Sequence, residues 1–165
     1  MYIETPRLII RPFTLEDANN YLKLVQDELI HKYVPFSYLN NIAEANAAIL
    51  ECYAKCDFSN DFYLLIIEKQ SNNLIGALMI TDNYYGQYYD SCYFIGKQYR
   101  RKGYMKEALV AFLNNFPLPD KKLKFFIKPS NTASLNLIKQ IDGIIDVYPE
   151  KVPTKGPFKQ FCYQT

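Results

Sequence analysis

Within residues 90–116 the apolar period changes from two to 3.6, and a basic, glycine-containing turn marks the change. Asp90 to Ile95 reads as a short strand. Gly96-Lys97-Gln98-Tyr99 and Arg100-Arg101-Lys102-Gly103-Tyr104 follow. From Met105 onward, Met105, Ala108, Leu109, Phe112, Leu113 and Phe116 fall on one helical face, which Pro117 and Pro119 close. A strand that passes through a tight loop into an amphipathic helix restricts the chain to a mixed α/β fold. It also restricts the chemistry. A helix start leaves about four amides unpaired and carries partial positive charge, and a diphosphate uses both. Gly103 permits close backbone approach, and Arg100, Arg101, Lys102 and Lys106 concentrate positive charge there. The same residues also suit a solvated basic turn before an ordinary helix. The physical pattern alone leaves both readings open.

The flanking segments supply a sheet and its covering helices. Arg7 to Arg11 reads as a first strand, stopped by Pro12. Thr14-Leu15-Glu16-Asp17 has the form of a capping box. Leu15, Ala18, Leu22, Val25 and Leu29 then predict one helix. Ile42, Ala45, Ile49, Cys52, Tyr53 and Cys56 predict a second. Phe62–Glu68 and 74–81, separated by Ser71-Asn72-Asn73, predict a hairpin. Leu123, Phe125 and Ile127 alternate as a strand. Asn131 to Gln140 returns to helical spacing, with Ile138 on its apolar face. Ile144 to Val147 and Phe161 to Tyr163 predict closing strands around a loop with Pro149, Pro153 and Pro157. The expected order is β-α-α-β-β-β-α-β-α-β-β. No linker or repeat interrupts it, so a single domain over 1–165 is expected.

Composition excludes several function classes. Nineteen Lys and Arg against 17 Asp and Glu give a net charge of +2, too weak to imply nucleic acid or an anionic membrane as partner. No stretch approaches 18 uninterrupted apolar residues. Cys52, Cys56, Cys92 and Cys162 lie in a chain whose start lacks the pattern of a secretion signal, so reduced thiols and a cytoplasmic address are expected. Cys52 and Cys56 share the apolar stripe of their helix, which favours core packing over a metal site, and no metal is expected. His31, the one histidine, has no visible partner motif.

Arg100-Arg101-Lys102-Gly103-Tyr104-Met105 resembles the acetyl-CoA signature of the GNAT superfamily, Gln/Arg-x-x-Gly-x-Gly/Ala. Met105 departs from it at the sixth position. Gly103-Tyr104-Met105-Lys106-Glu107-Ala108 is similar to the corresponding run of the branch that acetylates ribosomal-protein N-termini. Glu4 to Phe13 resembles the opening of that branch, and Asn131-Thr132-Ala133-Ser134 resembles its Asn-x-x-Ser helix start. The resemblance implies a GNAT fold: a mixed, mostly antiparallel sheet of six to seven strands, splayed at the cofactor site and flanked by about four helices.

It also implies an acetyl-CoA-dependent N-acetyltransferase that acts on a primary amine by direct attack in a ternary complex. A CoA-binding module with little or no catalysis is the alternative. The acceptor would be a small amine or a peptide N-terminus, and the state monomer or homodimer. Phe94 and Ile95 would present backbone amides to the thioester. Arg100, Arg101, Lys102, Gly103, Tyr104, Met105 and Lys106 would hold the diphosphate, and Asn131 the pantetheine arm. Asp90 aligns with a glutamate often present in this branch and is the candidate base; a surface aspartate is its other reading. Many relatives carry a tyrosine, as proton donor to the thiolate, at the position of Ile138. Ser134 would supply a hydroxyl near the sulfur instead, with helix capping or surface polarity as the other reading of Ser134 and Asn131.

Overall fold

The computed structural model describes residues 1–58, 60–83, 88–116, 122–147 and 158–163. Pro149, Pro153 and Pro157 lie outside the described residues. The chain divides into two compact units, Met1–Ile80 with Cys92–Phe116, and Thr81–Ser91 with Pro117–Thr165.

In the first unit, strands β1 (Ile3–Glu4), β2 (Leu8–Pro12), β3 (Phe62–Glu68) and β4 (Asn73–Asn83) pair in that order, each antiparallel to the next. The hairpin expected from the two runs of β-formers is present, with Asn72 at φ 54° in its turn. Asn is among the few residues that adopt this left-handed conformation readily. β3 is buried from Tyr63 to Glu68 and β4 from Ile75 to Ile80, so both faces of these strands are covered. One face carries Tyr63, Leu65, Ile67, Ala77 and Met79. It packs with residues of α1 (Ala18–Val25), α2 (Glu28–Tyr33) and α3 (Ile42–Phe58). On the other face, Phe62 meets Phe112 and Phe116 edge-on, at 6.1 and 5.4 Å between ring centroids, which places α4 (Tyr104–Asn115) there.

The second unit holds the first part of β5 (Tyr88–Ile95), β6 (Lys122–Ile127), β7 (Ile144–Val147), β8 (Lys159–Tyr163) and α5 (Thr132–Ile138). Its strand order is β5-β6-β8-β7. β5 and β6 are parallel, paired from Tyr88↔Lys122 to Ser91↔Phe125, and the other two pairings are antiparallel. Beyond Ser91, β5 runs on to Ile95 within the first unit.

Among the described residues there are eight strands and five helices, a mixed α/β fold with a mostly antiparallel sheet. The structure carries a strand and a helix beyond the six to seven strands and about four helices expected, for physical reasons. β1 is two residues long, below the length at which alternation can be read. The helix expected from Leu15 to Leu29 is two. Thr14 and Asp17 open it as expected, with the Asp17 carboxylate accepting from the Thr14 amide at 2.7 Å and the Thr14 hydroxyl at 2.8 Å. After Val25, Asp27 takes an extended conformation and caps a new helix, accepting from the amides of Leu29 and Ile30. The inward stripe is therefore Ala18, Tyr21, Leu24, Val25 and Ile30, while Leu15 and Leu29 are about half exposed. In α3, Ala45 and Ile49 are buried as expected, but Cys56 is exposed. Ile138 is fully buried.

Candidate active site

From Cys92 onward, the strand–loop–helix that the sequence singles out lies in the first unit. β5 ends at Ile95, Lys97–Tyr99 forms one 3-10 turn, and α4 begins at Tyr104. Arg101 has φ 60° and Gly103 φ 79°. A left-handed residue leading into a helix start is a place where backbone amides can hold an anion. A left-handed non-glycine residue costs of order 1–3 kcal/mol and persists only where its surroundings hold it. Arg101, Lys102 and Gly103 are all exposed. A Cβ at Gly103 would meet a single side-chain atom, Arg7 Nη2, at 3.4 Å. The turn is thus open on one side and braced on the other, which fits a diphosphate.

Side chains distant in sequence do the bracing. Arg7 donates from Nη1 to the carbonyl of Lys102 at 2.9 Å and from Nε to Glu107 Oε2 at 2.6 Å, and its guanidinium lies 4.5 Å from the centre of the Tyr104 ring. Glu107 Oε1 accepts from the Arg7 amide at 3.1 Å and from the Thr5 hydroxyl at 2.5 Å. Burial pushes the Glu107 carboxyl up, but the bonds from Thr5 and Arg7 outweigh it and hold the group below its ordinary value. The Tyr104 hydroxyl donates to Glu68, whose other oxygen accepts from Ser71 Oγ at 2.5 Å. Tyr99 accepts at its hydroxyl from Asn73 Nδ2 at 2.9 Å.

Arg100, the first residue of the signature, faces inward. Its Nη2 pairs with Asp27 Oδ1 at 2.5 Å and its Nε donates to the carbonyl of Ile95 at 3.1 Å. Asp27 also accepts from the Lys97 amide at 3.1 Å. One carboxylate therefore caps α2 and holds the end of β5 to the loop. Burial works to raise the Asp27 carboxyl, and hydrogen bonds from Arg100 and the α2 amides, with the Arg100 charge, bring it below its ordinary value. Phe94 is buried, and its carbonyl lies 2.5 Å from where a Cβ on Gly76 would stand. Glycine at 76 is thus what lets β4 pass beside Phe94. Met105, the departure from the signature, is buried on the inner face of α4, and Lys106 is exposed.

In the second unit, Asn131 caps α5, its Oδ1 accepting from the Ser134 amide at 3.2 Å. Asp90 stands opposite Lys124 in the β5–β6 ladder. Its charge adds to burial in raising the Tyr88 phenol. In the first unit, Cys92 packs against the core cluster that contains Phe94. Sequence reasoning missed Arg7, Asp27, Glu68 and Glu107. Asp27 had a readable sign, a cap residue immediately before Glu28-Leu29-Ile30. The Arg7–Glu107 contact, 100 positions apart, had none. Among the described residues, no three His, Cys, Asp or Glu side chains are grouped so as to hold a metal ion, and no helix is long and apolar enough to cross a membrane.

Comparison with known proteins converges on one family. The family model described as acetyltransferase (GNAT) domain matches residues 7–143. The chain is 27% identical over 160 residues to the uncharacterized N-acetyltransferase YnaD of Bacillus subtilis, covering 94% of this chain and 90% of that one. Its fold matches a GNAT-family acetyltransferase from Bacillus anthracis at a TM-score of 0.75 and 21% identity, covering 99% and 96% of the two chains. It also matches RimL, a ribosomal L7/L12 alpha-N-protein acetyltransferase solved with coenzyme A, at a TM-score of 0.80 and 13% identity, covering 98% and 95%. The braced left-handed turn at the start of α4 therefore belongs to a member of the GNAT acetyltransferase family, and the chain is an acyltransferase.

Proposed function

We propose that this protein transfers the acetyl group of acetyl-CoA to a primary amine, either a peptide α-amine or a small amine, by direct attack in a ternary complex. The observation that carries the reading is the open turn Arg101–Gly103 at the start of α4, in a chain of this family. Acetyl-CoA supplies the activated acyl group as a thioester. The loop's part is to hold the diphosphate with the amides around Gly103 and with the charges of Arg101, Lys102 and Lys106. Arg100 serves it from behind through Asp27 and Ile95. Phe94 and Ile95 are the proposed backbone donors to the thioester carbonyl; such donors are typically worth about 3–4 kcal/mol in a dry site.

The attacking amine must be neutral. An α-amine with a pKa of about 7.7–8.0 is roughly one-tenth neutral near pH 7, whereas a lysine amine at about 10.4 is almost wholly charged. That favours an α-amine or an acceptor assisted by a base. Asp90 is the proposed base, and Ser134 the proposed hydroxyl at the departing sulfur. Asn131, whose Oδ1 is engaged in capping, has its Nδ2 to offer the pantetheine arm.

Thiol release from acetyl-CoA, measured over N-terminal peptides and small amines, tests this reading. Acceptor-dependent release with acetylation at an amine is the expected result. The CoA-binding module draws its support from Ile138, fully buried where the resemblance implies a proton-donating tyrosine, and from the shorter acid at Asp90. Tight binding without release on every acceptor would favour the module.

A further inference from the structure

Among the described residues, Arg7 holds the Lys102–Gly103 peptide from its carbonyl side. Every peptide described here is trans, so the Lys102 carbonyl and the Gly103 amide point in opposite directions. With Arg7 Nη1 bound to that carbonyl at 2.9 Å, the carbonyl faces Arg7 and the Gly103 amide faces away from it. Arg7 cannot swing freely, because its Nε is bound to Glu107 at 2.6 Å, its own amide donates to the same carboxylate, and its guanidinium rests on the Tyr104 ring. The pairing also neutralises Glu107, a carboxylate in the first turn of α4 that would otherwise repel an anion at that helix start.

We propose that Arg7 is a positioning residue for the cofactor loop: by fixing the Lys102–Gly103 peptide plane and masking Glu107, it aims the Gly103 amide at the diphosphate. This rests on the reading that the loop holds the diphosphate. Arg7 does so from the opening segment of the chain, outside the signature itself.

The test combines calorimetric titration of coenzyme A with amide NMR spectra of the full chain, for the wild type and for Arg7→Met. Arg7→Gln is carried in parallel in case the first variant folds poorly. In the wild type, the Gly103 amide resonance is expected to move on adding coenzyme A. In the variant, affinity falls about tenfold, the scale of one charge-assisted hydrogen bond, and the Gly103 displacement at saturation shrinks. The Phe94 and Ile95 amides keep their wild-type response. Wild-type affinity and a wild-type Gly103 displacement in both variants would overturn the positioning role and leave the loop reading intact. A Gly103 amide that ignores coenzyme A in the wild type would overturn the loop reading, and this inference with it. Weaker binding with resonances displaced throughout the unliganded variant would mean that Arg7 is structural only, and would overturn the inference as well.

Discussion

Three single residues each answer to a different constraint, on the loop, on the sheet and on proton transfer. Gly103 sits at φ 79°, where a side chain is disfavoured by roughly 1–2 kcal/mol. Gly103→Asp is expected to weaken acetyl-CoA binding by at least tenfold, because the new carboxylate would stand beside the diphosphate and close to Arg7, an amount of about 1.4 kcal/mol or more. Calorimetry on the folded variant checks it, and unchanged affinity would count against the loop assignment. Gly76 answers to a different constraint. Its missing Cβ would stand 2.5 Å from the Phe94 carbonyl, a backbone atom that cannot yield cheaply. Gly76→Ala is expected to cost about 1–3 kcal/mol, read as a lower denaturant midpoint; an unchanged midpoint would mean that β4 and β5 part easily there. The third residue is Asp90. Asp90→Asn is expected to lower turnover more than cofactor affinity, and an identical pH–rate profile would count against it as the base.

At the scale of elements, the informative joint is the one between α2 and the end of β5. Asp27 is both a helix cap and the partner of Arg100, and two variants separate the roles. Asparagine caps as well as aspartate, so Asp27→Asn loses mainly the ion pair, while Asp27→Ala also loses the cap, a further 0.5–2 kcal/mol or about 1 typically. Chemical denaturation should rank wild type above Asp27→Asn above Asp27→Ala. Equal midpoints for the two variants would mean that the cap adds nothing. This joint also shows where the sequence stops being legible. Elements with a strong period and a marked end could be read to within a residue or two: β3, the hairpin turn, α4 behind Gly103, and α5 behind Asn131. The break at Asp27 was hidden because Val25 and Leu29 continue a helical spacing by chance, although Leu29 ends up half exposed. The burial of Tyr21, Leu24 and Ile30 is decided by the sheet they meet, and such packing overrides a local period. The candidate site was legible wherever a turn and a family motif coincided. Arg7, Glu68 and Glu107 act through contacts between distant segments, which no local pattern encodes.

For the whole molecule, three part-buried carboxylates carry a shared consequence. Asp17, Asp27 and Glu107 are each pushed up by burial and brought below their ordinary values by bonds from Arg11 and Thr14, from Arg100 and the α2 amides, and from Thr5 and Arg7. Unfolded, these groups take up protons at their ordinary pKa values of about 4; folded, they do so only at lower pH. Their contribution to stability is therefore present above the unfolded values and is lost as pH falls through the folded ones. The denaturant midpoint is expected to decline from about pH 5 downward, and Asp17→Asn to flatten part of that decline. A midpoint that stays level down to about pH 3 would show that these pairs add nothing. The hold of the loop on its cofactor is read by equilibrium titration of the intact protein with acetyl-CoA. The expected result is saturable binding at one site, with the Gly103 amide among the groups displaced. An absence of binding at concentrations far above those at which acetyltransferases work, in a protein shown to be folded, would contradict it.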